Sequence, residues 1–245
     1  MGRQIGDLSF EDWITYVFDH PVTDPAWHWD IGSAYWDELR QPAITVAYLT
    51  RAFEDAHTVL APFSDAQLNQ GLWFLASNSC SNHMFALLDP TVPWPARERG
   101  IQSMFHLFSR VFLTRCAADH LSHLDRGGTA PSNPLNTVCY MWWDILPIFG
   151  RPAEPAHAGV PDACLEVMRL TLDLDSDACR ESALHGLGHW HHAYPRRVET
   201  IIDTFLQRYE PRRKRRGGQP CPSPAHALRP ELRAYALSAQ KGCVL

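Results

Sequence analysis

Ser176-Asp177-Ala178-Cys179-Arg180-Glu181-Ser182-Ala183-Leu184-His185-Gly186-Leu187-Gly188-His189-Trp190-His191-His192 is the stretch whose reading decides the fold. Its apolar and small residues recur at spacings of three and four, which predicts a helix over 176–192. Similar runs lie on either side of it. Asp7–Asp19, Ala43–Leu60, a segment opening at Ser64, Ala96–Leu124, Pro134–Phe149, Asp162–Leu172 and Pro195–Tyr209 all show helical spacing, broken by prolines and Gly127-Gly128. Ser64-Asp65-Ala66-Gln67 reads as a capping box, in which the serine and glutamine side chains satisfy backbone donors at a helix start. Pro195 suits a first helical turn, where no amide hydrogen is needed. No segment alternates apolar and polar residues as a half-buried strand would. The expected fold is therefore all-α, with about ten helices.

The same stretch has a partial copy upstream. Ser64-Asp65-Ala66 aligns with Ser176-Asp177-Ala178, and at that offset Leu72 meets Leu184, Leu75 meets Leu187, and Gly71 and Ala76 meet Ala183 and Gly188. The offset is about three units of 37 residues, near the period of paired-helix repeats, whose units bury an apolar face only by stacking. Ala183-Leu184-His185-Gly186-Leu187-Gly188 resembles the second helix of HEAT-like repeats, where an Ala-Leu-x-x-Leu-Gly core lets helices approach closely. The histidines at 185 and 189 and the scattered tryptophans depart from that pattern. The resemblance implies a solenoid of paired antiparallel helices that binds other macromolecules, and it implies no reaction. On this reading residues 1–209 form the repeat domain, 210–224 a basic, proline-rich linker, and 225–245 a weak helix and tail.

Composition narrows the function. The 245 residues are 45% hydrophobic and 20% charged, enough apolar surface for a globular core. No apolar run is long enough for a membrane span, and Met1–Asp7 lacks an apolar leader, so a cytoplasmic protein without a membrane partner is expected. Seven cysteines without a C-x-x-C pair argue against a disulfide scaffold and a zinc ribbon. The net charge is −5, and residues 1–100 hold 5 Lys and Arg against 13 Asp and Glu. Removing the five cations of Arg212-Arg213-Lys214-Arg215-Arg216 leaves −10 for the remainder, a body that repels nucleic acid and favours a basic partner.

Three functional readings follow. The first is a non-enzymatic module that binds a basic protein, for example an immunity protein neutralising a basic toxin. It would use Trp27, Trp29, Asp30, Trp36, Asp37 and Glu38 in the proline-bounded connector Pro21–Pro42, with rings as anchors and carboxylates steering the partner. It carries no catalytic residue and no cofactor. The second is a metal-dependent enzyme built on a His-x-x-x-His-x-x-His helix. Glu181, His185, His189 and His192 fall within about 80° of helix arc, and this stripe is expected to face away from the packed side. A protease of the His-Glu-x-x-His type is excluded, because Gly186 stands where the glutamate would be. The third is a nucleic-acid-binding solenoid using residues 212–216. The helical pairs Cys116 with His120 and Cys80 with His83 are read as half-buried thiols beside surface histidines.

Overall fold

Serine caps and first-turn prolines open several of the helices. In the computed structural model, which describes residues 3–30, 32, 36–125, 133–148, 157–209 and 227–244, Ser9 caps α1 (Phe10–Phe18) by accepting from the Asp12 amide. Pro42 opens α2 (Pro42–Glu54), and Asp55 separates it from the single turn α3 (Ala56–Val59). The Ser64–Gln67 capping box forms as expected and opens α4 (Asp65–Ala76). α5 (Trp94–Leu107) runs through a π turn at Phe108–Phe112 into α6 (Leu113–Arg115). Then follow α7 (Leu135–Ile145), α8 (Val160–Thr171), α9 (Asp177–Trp190), α10 (Pro195–Gln207) and α11 (Pro230–Ala239). These eleven helices and several short 3-10 turns make up the described residues, where an isolated Gln4–Asp37 bridge is the only strand-like pairing.

The helices stack in two rows. In one, α1 packs on α4, α4 on α7, α7 on α9 and α9 on α11. In the other, α2 packs on α5 and α5 on α8, and α8 is tied to α10 by the ion pairs Arg197–Asp162 and Arg208–Asp173. α4 and α9, the two helices that align in sequence, are both in the first row with α7 between them. Their starts at 65, 135 and 177 are 70 and 42 residues apart. The tryptophan pair Trp142–Trp143 fills the centre, with Phe108 stacked on Trp143 and both Phe108 and Phe112 edge-on to Trp142.

Two expectations are corrected here. The long helix ends at Arg115 rather than Leu124, although no Gly or Pro interrupts it, because residues 117–123 find better partners elsewhere. Asn136 bonds both the amide and the carbonyl of Ala117, the amides of Asp177 and Ala178 donate to the Ala118 carbonyl, and Glu181 accepts from the Ser122 and His123 amides. Those bonds replace the helical ladder for a segment that is only partly covered and is pinned by Leu121, its one buried residue. The second correction concerns α9. All its residues from Ala178 to Gly188 are buried except Arg180, so Glu181 and His185, each 1% exposed, do not lie on an outer face. α7, α8, α10 and α11 enclose it. The carboxy-terminal helix docks on the stripe that the wheel assigned to solvent. The basic run 212–216 and the whole linker 210–224 lie outside the described residues.

A buried histidine elsewhere in the core makes stability depend on pH. His83 accepts the indole N–H of Trp13 at Nε2 (3.1 Å), and its Nδ1 meets the Ser81 hydroxyl (2.9 Å), which donates to the Phe74 carbonyl. Burial pushes its pKa down to about 3, although the Glu38 carboxylate lies 3.8 Å from Nδ1. The unfolded chain takes up a proton near its ordinary value and the folded chain does not, so this contribution is complete above that value and falls as the solution is acidified towards pH 3. At pH 5 the loss is about 2 kcal/mol for one such group. Urea unfolding at pH 7 and pH 5 measures it, and His83→Asn, which keeps a donor for Ser81, should remove that share of the difference.

Candidate metal centre

His185 and His189 leave α9 one turn apart, so their rings meet: the centroids are 4.5 Å apart and the two Nε2 atoms 3.2 Å apart. Asp144, at the end of α7, brings Oδ1 to 3.7 Å from His189 Nε2. One ligand atom from each of the three lies within 4.8 Å of the others. A tetrahedral zinc site with Zn–N of about 2.0–2.1 Å separates two nitrogen ligands by about 3.3 Å. The imidazole pair already has that separation. Asp144 and His189 are 41% and 38% exposed, so the cluster sits at the rim of the core with one side towards water.

His185 is the buried member, and its environment keeps its lone pair available. Desolvation, followed by the neighbouring His189 and His123, lowers its pKa to about 3. Its Nδ1 lies 2.8 Å from the Tyr235 hydroxyl, which is 3.1 Å from the Tyr140 hydroxyl. When Nδ1–H donates to Tyr235, Nε2 turns its lone pair towards His189, whose Nε2–H it can accept until an ion displaces that hydrogen. Burial, reinforced by Tyr140, holds the Tyr235 phenol far above its ordinary pKa, so it stays protonated, and when it accepts from His185 its own O–H is left to donate to Tyr140. A hydrogen bond to the far nitrogen of this kind fixes the tautomer and orientation of a ligating imidazole.

Behind the cluster, Glu181 fixes the backing. Its carboxylate accepts from the Ser122 and His123 amides, at 2.8 Å each, and lies 2.5 Å from His123 Nδ1. The His123 ring stacks on Tyr235 at 4.1 Å. Glu181, expected among the metal ligands, is thereby used up in holding the segment after α6 against α9 and α11. His192 is exposed and outside the cluster. Of the four residues on the expected stripe, the structure brings together His185 and His189 and substitutes Asp144, which sequence spacing did not reveal.

The connector residues fare unevenly. Trp27 is buried and stacked on His20 (3.7 Å), and Glu38 is buried, accepting from the Asn82 amide at 2.5 Å. Neither is a surface anchor; the expectation of low packing demand fails because the connector folds back over α1 and α4. Trp36 is half-buried under the Arg3 guanidinium, and the Asp37 carboxylate caps the Leu39 and Arg40 amides and pairs with Arg40. Only Trp29 and Asp30 stand exposed. Among the thiols, Cys139 is buried in contact with Cys116 and Cys179, and His120 pairs with Asp125. His83 is committed to Trp13 and Ser81.

The fold and this cluster define an all-helical protein with a histidine and carboxylate site between α7 and α9. No protein-family model, curated protein or solved structure matches the chain. No described helix is long and apolar enough to cross a membrane.

Proposed function

We propose that this protein is a metal-dependent enzyme whose Asp144, His185 and His189 hold a divalent first-row transition ion. The observation that carries the reading is the 3.2 Å separation of two Nε2 atoms beside a partly exposed carboxylate, with the buried imidazole oriented by Tyr235. Two imidazoles and one carboxylate suit zinc or ferrous iron, and three protein ligands leave positions for water and substrate, as catalytic sites do. A bound ion would supply Lewis acidity and a water acidic enough to react near neutral pH. Asp144 and His189 would present the site at the rim, while Tyr235 would hold His185 and exclude water behind it. The two-row order of the helices supports a paired-helix, HEAT-like stack as the scaffold.

Zinc or cobalt titration of the metal-free protein tests the reading, and elemental analysis of protein purified without a tag identifies the native ion. One equivalent should bind, and the loaded form should hydrolyse an activated ester or phosphoester that the metal-free form leaves intact. Binding of less than one equivalent defeats the proposal. Tyr235→Phe removes the bond to His185 Nδ1 and should weaken zinc binding roughly 10–100-fold with the fold retained. Unchanged affinity in that variant would show that Tyr235 does not position the ligand.

A further inference from the structure

Sharing no residue with the histidine cluster, an open cavity of about 630 Å³ lies between the middle and end of α4 and the connector after α1, lined among others by Asp24, His28, Trp29, Asn69, Gln70 and Trp73. Cavities of roughly 300–1,000 Å³ are the usual size for a bound group. Its chemistry is one-sided. Two indoles line it, Trp29 being 55% exposed, and neither Lys nor Arg is among its lining residues. Gln70 Nε2 donates to the Thr23 carbonyl (2.7 Å), which leaves Oε1 as an acceptor. That atom and Asn69 Oδ1 have no hydrogen-bond partner among the described residues but are closed off from solvent, so they stand behind the cavity wall rather than on it. Asp24 adds a carboxylate. Indole faces and a carboxylate both attract a donor-rich cation.

We infer that this cavity receives an arginine side chain from a basic protein segment. A guanidinium stacks on an indole and offers five donors in a plane, which suits Trp29 with Asp24 better than a lysine ammonium does. The charge of the surroundings agrees, since residues 1–100 carry 5 cations against 13 anions. Such a field speeds the encounter with a basic partner, and the cavity supplies the selectivity. The acidic amino-terminal half thus acquires a defined contact point, at Trp29, in place of the six-residue surface read from the sequence.

Calorimetric titration of the full chain with a short peptide containing four arginines, and with the same peptide carrying citrulline, tests this inference. Citrulline keeps the shape and removes the charge. The arginine peptide should bind at least about tenfold more tightly, and Trp29→Ala should remove about tenfold of that affinity. Trp29 is exposed, so its loss should leave the fold intact, as circular dichroism can verify. Asp24→Asn should weaken binding several-fold, whereas Glu11→Gln, on the exposed face of α1, should change it less than about twofold. Equal binding of the two peptides, an unaffected Trp29→Ala, or no binding at roughly millimolar peptide would overturn the assignment.

Discussion

If Asp144, His185 and His189 hold zinc as proposed, His189→Ala is expected to abolish zinc binding and the stability gained on adding zinc. His189 contributes one of the paired Nε2 atoms, 3.2 Å from that of His185 and 3.7 Å from Asp144 Oδ1. Without it, two ligands remain and the affinity collapses. At zinc concentrations about 100-fold above the dissociation constant, the folded state gains about 2.7 kcal/mol. For a chain of this size that corresponds to roughly 5–10 °C in melting temperature. The side chain is 38% exposed, so its removal opens no core cavity, and the metal-free variant should melt close to metal-free wild type. His192→Ala, on the same helix but outside the cluster, is the control and should keep the full zinc response. A zinc-induced shift that survives His189→Ala, or that disappears equally in His192→Ala, would remove the basis for a site at this position.

The second large effect comes from Gly186, which lies between the two ligating histidines where α9 touches α7. A β-carbon there would sit 2.6 Å from both Cβ and Cγ of Trp143, a residue 2% exposed and held by Phe108 on its far side. The sign of Gly186→Ala separates two influences. Helix propensity alone favours alanine by about 1 kcal/mol in a helix interior. Overpacking against a rigid indole costs about 1–3 kcal/mol or more. Packing should win, so the variant should unfold at lower denaturant, and Gly186→Leu should do so by at least about 3 kcal/mol. Because Asp144 follows Trp143 directly, pushing α7 away from α9 separates the carboxylate from the histidines. Zinc affinity should therefore fall along with stability. A more stable Gly186→Ala protein with intact zinc binding would mean that the helices have room to part.

Much of the helical content was legible in the residues. Ser64 with Gln67, Pro195 and the three-four spacing of apolar side chains each act within one turn, and the helices they mark are present within a few residues of the expected bounds. The end of the long helix was not legible. Residues after Cys116 have nothing against helix in their own composition, and they leave it because Asn136 and Glu181 offer partners from 19 and about 59 residues away. The wheel of 176–192 misled for a related reason. It assumes one packed face and one wet face, and α11 covers the second face through Tyr235, 50 residues beyond His185. Trp27 and Glu38 are buried against expectation because the proline-bounded connector returns across the core.

By itself the sequence determined an all-helical chain, the acidic charge of its first hundred residues, and the placing of His185 and His189 one turn apart. These are consequences of composition and of interactions between residues at most four positions apart. Tertiary structure alone decided that α9 is enclosed on nearly all sides, that Glu181 anchors a segment rather than an ion, and that Asp144 completes the cluster. Those outcomes depend on which distant helices meet, and that is settled by burying apolar surface and pairing polar groups across the whole stack.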